Sequence, residues 1–217
     1  MNPEFWHDKW ARNELGFHLK QVHPLLHKHL TPARRQTIKT VFVPLCGKTV
    51  DIGWLLDQGF KVVANELSES AIKTLFADLG LTPRISEWQG GACYQAQQLT
   101  VWVGDFFQLG GAELQNIDLV YDRAALIALP AAMREQYSAQ LKRWLPNTAQ
   151  LLITLDYDQN QMSGPPFAVS ADEVQQHYAQ AWEIQCLSQK DILEHEAKFA
   201  QRGLTALTEA AFWLSPK

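Results

Sequence analysis

Short apolar runs alternate along the chain with stretches whose apolar residues recur at helical spacing. Val41-Phe-Val-Pro-Leu45 is a continuous apolar run and predicts a strand buried on both faces. Thr49 to Gln58 follows, with Ile52, Leu55 and Leu56 on one helical face and Gly59 as the stop. Phe60-Lys-Val-Val-Ala-Asn65 predicts a second strand. Ser68 opens the next helix, with Leu67 and Ile72 at the spacing of a hydrophobic staple and Gly80 at its end. Further strands are expected over Leu99 to Val103, Ile117 to Tyr121 and Leu151 to Leu155. Met133, Tyr137, Leu141 and Trp144 recur at helical spacing after Pro130. Ser170 and Glu173 make a capping box for one more helix, and Trp182 to Leu187 and Thr205 to Leu214 predict two closing strands. Thr82 to Gln98 fits the alternation poorly; Gly90-Gly91 predicts a turn there, in a hairpin leading into the Leu99 strand.

This order of elements predicts one α/β domain over residues 1–217, with a doubly wound, mostly parallel sheet of seven strands. Residues 38–217 form its core, and residues 1–37 precede it as a helical cover. Composition agrees with a globular chain, at 47% apolar and 19% charged. The net charge of -4 argues against a phosphate backbone as partner, so no nucleic acid is expected. Cys46, Cys93 and Cys186 form no C-x-x-C pair, and neither a disulfide framework nor a zinc ribbon is indicated. Met1 to Trp10 lacks the apolar core of a signal peptide, and no run of about eighteen apolar residues occurs. A cytoplasmic monomer with no membrane partner is expected. The eight tryptophans exceed what packing needs, which predicts that several line a pocket.

Ligands of open parallel sheets bind outside the carboxyl ends of the strands, near the reversal in strand order. Four strand ends are therefore informative. Pro44-Leu45-Cys46-Gly47-Lys48 places a glycine ahead of a helix, where backbone approaches a ligand closely. Glu66 ends the next strand, the place from which an acid bonds the hydroxyls of a ribose. Asp105-Phe106 and Asp122-Arg123 are the other two. The first loop holds only Gly47, so the G-x-G-x-x-G cradle of a dinucleotide is missing, and Gly47-Lys48-Thr49 lacks the first glycine of a P-loop. A ribose-binding acid without a phosphate cradle points to adenosine carrying no phosphate. S-adenosylmethionine is the common cofactor that fits.

Phe42-Val-Pro-Leu-Cys-Gly-Lys-Thr-Val50 together with Glu66-Leu-Ser-Glu69 resembles the thiopurine S-methyltransferase family. So do Phe5-Trp-His-Asp-Lys-Trp10, Gly16-Phe17-His18, Tyr121-Asp-Arg123-Ala-Ala-Leu126, Asp156-Tyr157 and Gly164-Pro-Pro-Phe167, in the family's order. The resemblance covers nearly the whole chain and looks bacterial. Ala64-Asn65 departs from it, because the family tends to carry glycine before the acid. The resemblance implies a class I S-adenosylmethionine-dependent methyltransferase fold. It also implies methyl transfer to the sulfur of aromatic or heterocyclic thiols, with selenium and tellurium species as further acceptors and detoxification as a role. The positions matching cofactor contacts are Trp10, Leu45, Glu66 and Arg123, with Gly47, Asp105 and Phe106 added. Substrate contacts are expected from Trp6, Phe17, Phe167 and Arg202, and Arg123 is the catalytic candidate, holding an anionic acceptor.

Several of these residues have plainer readings. Trp6 and Trp10 are four apart and on a helix share a face, which suits core packing as well as an aromatic cover. Arg123 could simply pair with Asp122, and Phe167 could belong to a rigid connection. Cys46 beside a helix start could be a nucleophile, although a small buried cysteine is the commoner case. His23 and His27 have ligand spacing, but no acid or cysteine joins them; a solvated polar face is expected, and no metal. Two rival functions remain: a non-enzymatic sensor of S-adenosylmethionine, and a nicotinamide-dependent oxidoreductase, which the missing glycines disfavour.

Overall fold

The computed structural model of the protein describes residues 18–217. The chain divides into two compact units, Met1–Tyr121 and Asp122–Lys217.

In the first unit β1 (Thr40–Val43) is buried at every position, as its unbroken apolar run requires. β2 (Lys61–Glu66) pairs with it in parallel, from Thr40↔Lys61 to Val43↔Ala64. β5 (Leu99–Gly104) continues in parallel on β2, from Val62↔Leu99 to Glu66↔Val103. β6 (Leu119–Arg123) lies on the other side of β1, where Val41 faces Leu119 and Phe42 faces Val120. The strand order therefore reverses at β1. The carboxyl ends of β1, β2 and β5 are the edge at which a ligand belongs.

Among the described residues two short helices precede β1, α1 (Pro24–His29) and α2 (Pro32–Arg35), each with a proline in its first turn. α3 (Asp51–Asp57) and α4 (Glu69–Asp78) follow β1 and β2. Ser68 caps α4, its hydroxyl accepting the Ala71 N–H at 3.3 Å, and Ile72, Leu75 and Phe76 fill the buried face. Gly59 and Gly80 end the two helices at φ +87° and +65°, as expected of both.

Nine strands are described where seven were expected. The additional pair is the hairpin of β3 (Arg84–Trp88) and β4 (Gly91–Ala96), antiparallel to each other, with β4 antiparallel to β5. β3 has four exposed positions and one half-buried. With neither face covered, its sequence carries no alternation to read. Its turn needs glycine: a Cβ on Gly90 would lie 2.3 Å from the Trp88 ring, and one on Gly91 2.3 Å from the Val103 carbonyl oxygen.

The second unit begins inside β6 and contains α5 (Ala131–Trp144), β7 (Ala149–Asp156), α6 (Ala171–Tyr178), β8 (Trp182–Asp191), α7 (Ala197–Gln201) and β9 (Thr208–Pro216). β9 runs antiparallel to both β7 and β8. Tyr137 and Leu141 are the buried face of α5. The capping box of α6 is half made. Ser170 accepts the Glu173 N–H at 3.2 Å, but the Glu173 carboxylate turns to the Arg134 guanidinium at 2.5 and 3.2 Å. A buried arginine outcompetes one main-chain donor for the acid.

Candidate active site

The loop after β1 is fastened to the end of β2 through its own main chain. Leu45 and Gly47 both take left-handed backbone, at φ 46° and 54°. That conformation is strained for leucine, and it turns the intervening amides back toward β2. The Cys46 N–H donates to the Asn65 carbonyl at 2.9 Å, and the Gly47 N–H donates to Glu66 Oε2 at 2.8 Å. The other carboxylate oxygen of Glu66 accepts the Ser68 N–H at 2.8 Å. Glu66 is buried, which pushes its carboxyl upward, and the N–H groups of Ser68, Gly47 and Leu67 oppose that push.

This arrangement fits an adenosine ligand. Each oxygen of a carboxylate has two acceptor positions, and the Ser68 and Gly47 donors take one on each. Both oxygens keep a lone pair for the two hydroxyl donors of a ribose. A carboxylate so held can accept from a ribose, the group expected at Glu66, and the Leu45–Gly47 backbone lies beside it.

At the end of β5, Asp105 Oδ1 accepts the Phe107 N–H at 3.0 Å and so starts a short 3-10 turn, Phe106–Gln108. Phe106 is buried, and Asp105 is half-buried. Asp105 therefore has a local capping task in addition to the one expected of it.

In the second unit Asp122 is fully buried, and burial raises its carboxyl to about 6. Its oxygens accept the Tyr137 hydroxyl at 2.6 Å and the Leu126 N–H at 3.1 Å. Asp122 and Arg123 form no ion pair: consecutive strand residues face opposite ways, and the acid is satisfied by α5 and the following turn. Arg123 is half-buried, and no hydrogen bond or ion pair of its guanidinium is found among the described residues. Ala124 follows at φ 69°, so the chain bends sharply just past it.

Sequence neighbours of Phe167 and Arg202 share one apolar cluster: Tyr157, Met162, Phe199, Leu204 and Leu207, with Ala168 against it. The Tyr157 hydroxyl donates to the Pro166 carbonyl at 2.6 Å, and the Phe167 N–H donates to the Ile127 carbonyl at 2.6 Å. Gly164 passes so near the Phe167 ring that a Cβ would lie 2.6 Å from it. Arg134, 6% exposed, holds its guanidinium 5.9 Å from the centre of that ring. The charges of Arg202 and Arg134 act on the Tyr157 hydroxyl against the stronger upward push of burial. Arg202 itself is exposed, just past α7.

Trp6, Trp10 and Phe17 lie outside the described residues. The expectation for His23 needs correction. His23 is buried rather than solvated: its Nδ1 accepts the Leu25 N–H at 3.3 Å and its N–H donates to Asp51. Among the described residues, no group of three or more His, Cys, Asp and Glu could hold a metal ion. Cys46 is the small buried cysteine expected, and burial with the nearby Glu66 charge pushes its thiol well above the usual range. Trp88, Trp102 and Trp182 serve packing, each donating its ring N–H to a main-chain carbonyl, those of Val103, Glu113 and Thr148.

Sequence reasoning missed Asp51, 1% exposed, whose two oxygens accept the His23 N–H at 2.8 Å and the Tyr121 hydroxyl at 2.9 Å. It ties residue 23 to the start of α3 and to β6. An acid in a first helical turn is ordinary, and nothing in the sequence marks this one as buried.

Comparison with known proteins bears on the family and the fold. The sequence profile of the thiopurine S-methyltransferase family matches residues 1–217. The thiopurine S-methyltransferase of Pseudomonas paraeruginosa is 47% identical over 215 residues, 99% of each chain. Among solved structures, an S-adenosylmethionine-dependent methyltransferase from Anabaena variabilis superposes with a TM-score of 0.63 at 13% identity, over 100% of this chain and 96% of that one. The N-methyltransferase NodS of Bradyrhizobium japonicum, in complex with S-adenosyl-L-homocysteine, gives 0.59 at 12% identity, over 90% and 89%. These two likenesses establish the α/β methyltransferase fold, with its mixed sheet of mostly parallel strands. Neither the sensor reading nor the nicotinamide reading is favoured by any of them. The chain belongs to the thiopurine S-methyltransferase family, whose cofactor is S-adenosyl-L-methionine and whose reaction is methyl transfer to sulfur.

Proposed function

We propose that the protein methylates aromatic and heterocyclic thiols, thiopurines among them, with Glu66 holding the cofactor and Arg123 holding the acceptor anion. The single observation carrying this is the buried Glu66 carboxylate, set by the Gly47 and Ser68 N–H groups so that both oxygens can still accept. When bound, S-adenosylmethionine supplies a methyl group already activated on a sulfonium.

The chain's task is then mainly orientation and exclusion of water. Leu45, Gly47, Glu66, Asp105 and Phe106 bind the cofactor in this reading, with Trp10 and Arg123. A heteroaryl thiol is largely ionised or tautomerised near neutral pH, so its sulfur needs no strong base. Arg123 steers that anion and keeps it in line with the methyl group, where orientation supplies several kcal/mol. Its guanidinium lacks a partner among the described residues and is free to do so. Trp6, Phe17 and Phe167 are acceptor contacts in this reading, and Arg202 is a second anion contact. Such aromatic contacts read shape and apolarity, which predicts breadth across aromatic thiols and, by the family resemblance, selenium and tellurium species.

The protein acts in this reading as a cytoplasmic monomer in detoxification, on small molecules and without nucleic acid or membrane partners. The net charge of -4 supports the exclusion of nucleic acid. No helix among the described residues is long and apolar enough to cross a membrane.

Turnover of 6-mercaptopurine and of a neutral thioether-forming acceptor, measured by release of S-adenosylhomocysteine, tests the assignment. Arg123→Met is expected to slow the anionic acceptor by about 10- to 100-fold, the worth of a hydrogen bond to a charged group. Equal rates for wild type and variant with both acceptors would remove Arg123 from the mechanism.

A further inference from the structure

Asn65 stands directly before Glu66, and the structure gives its amide a definite task. The residue is 1% exposed. Its Nδ2 donates to two carbonyls of the neighbouring strand, Trp102 O at 2.9 Å and Gly104 O at 3.0 Å. A side-chain amide carries two N–H donors, and both are used. The parallel ladder pairs Asn65 with Trp102 and ends at Glu66↔Val103. Gly104 lies one position beyond that end. Asn65 thus carries the connection between β2 and β5 past the last backbone pair, to the residue that immediately precedes Asp105.

Gly104 is confined from the other edge as well. Its φ is 150°, and a Cβ there would lie 2.3 Å from the Gly90 carbonyl oxygen and 3.0 Å from the Trp88 ring. The Trp88 ring N–H donates to the Val103 carbonyl at 3.2 Å. The hairpin turn and the Asn65 amide therefore hold the exit of β5 between them. From that exit the chain passes straight into Asp105, Phe106 and the 3-10 turn, closed by Gln108 N–H to Asp105 O at 3.0 Å.

We propose that Asn65 is a positioning residue of the cofactor site, its amide fixing Gly104 and through it the place of Asp105 and Phe106. The proposal rests on the reading of Asp105 and Phe106 as cofactor contacts. Asparagine suits the task because it offers two donors on a short stem. Aspartate would set acceptors against two carbonyls, and alanine would leave both carbonyls without these donors.

A double-mutant cycle on the full chain tests it, with S-adenosylhomocysteine affinity measured calorimetrically for wild type, Asn65→Ala, Asp105→Asn and the pair. Each single change is expected to weaken binding by about 5- to 10-fold, and the pair by clearly less than the product of the two, because both act on one loop. In steady state Asn65→Ala should raise KM for S-adenosylmethionine and leave KM for the thiol unchanged, a split that general destabilisation would not produce. Should Asn65→Ala not fold, Asn65→Ser, which keeps one donor, takes its place in the cycle. Binding by the Asn65 variant within about twofold of wild type, or effects that simply multiply, would overturn the proposal. An Asp105→Asn protein that binds as wild type would instead overturn the reading of Asp105, and the proposal with it.

Discussion

Glu66 in the first unit and Asp122 in the second are both buried acids at strand ends, and burial raises both carboxyls. They differ in what holds them. Glu66 takes its hydrogen bonds from main-chain N–H groups of the loops around it, Gly47 and Ser68. Asp122 takes one from the Leu126 N–H and another from Tyr137, a side chain fully buried on α5. Each acid has one donor on each oxygen, so the difference lies in the surroundings: Glu66 is held by loop backbone and stays 6% exposed, whereas Asp122, 0% exposed, is closed over by a core tyrosine. Near the end of β6 the exposed chemistry therefore passes to the neighbouring residue, Arg123. A buried carboxylate at the same kind of place is the proposed binding group in one unit and a structural tie in the other.

That contrast breaks most readily at Glu66. Glu66→Ala is expected to lower kcat/KM for S-adenosylmethionine by about 100-fold or more, since it removes two charge-assisted ribose contacts. Asp122→Asn, which keeps an acceptor for Tyr137, should change the same constant by less than about fivefold. Tyr137→Phe comes next and acts on stability. It leaves a buried carboxylate short of a donor, at a cost of about 1–3 kcal/mol, read as a melting point lower by roughly 2–4 °C for each kcal/mol.

This destabilisation should depend on pH. Asp122 has a folded pKa of about 6 against an ordinary 3.8, so between these values the folded state binds the extra proton. Its contribution to stability is fully present below about pH 4 and is lost as pH rises through about 6. Tyr137→Phe should therefore cost more at pH 7.5, where Asp122 is charged, than at pH 5, a difference that thermal melts at the two pH values would show. The smallest effect is expected at the buried thiol of Cys46. Iodoacetamide at pH 7.5 should label the exposed Cys186 and leave Cys46 unmodified in the folded protein, as peptide mass mapping would record.

Much of this was legible in the sequence, for reasons that differ by element. β1 could be read because a strand buried on both faces needs an unbroken apolar run, β2 because Val62 to Ala64 stay apolar between Lys61 and Asn65, and Glu66 because an acid at that strand end is conspicuous. Ser68, Gly59 and Gly80 marked helix ends because capping and left-handed backbone restrict residue type. β3 was not legible as a strand, since it is open on both sides and leaves no alternation. The partners of buried acids were hidden too. Asp51 meets His23 across 28 positions and Tyr121 across 70, pairings that no local pattern encodes. Tyr137 was recognisable as core by its spacing, but the hydroxyl it offers to Asp122 was not.

The most direct test of the contrast is one calorimetric comparison of S-adenosylhomocysteine binding to wild type, Glu66→Gln and Asp122→Asn. The account predicts an affinity weaker by about 30-fold or more for Glu66→Gln and within about threefold of wild type for Asp122→Asn. Equal losses in the two variants, or wild-type affinity in Glu66→Gln, would contradict it.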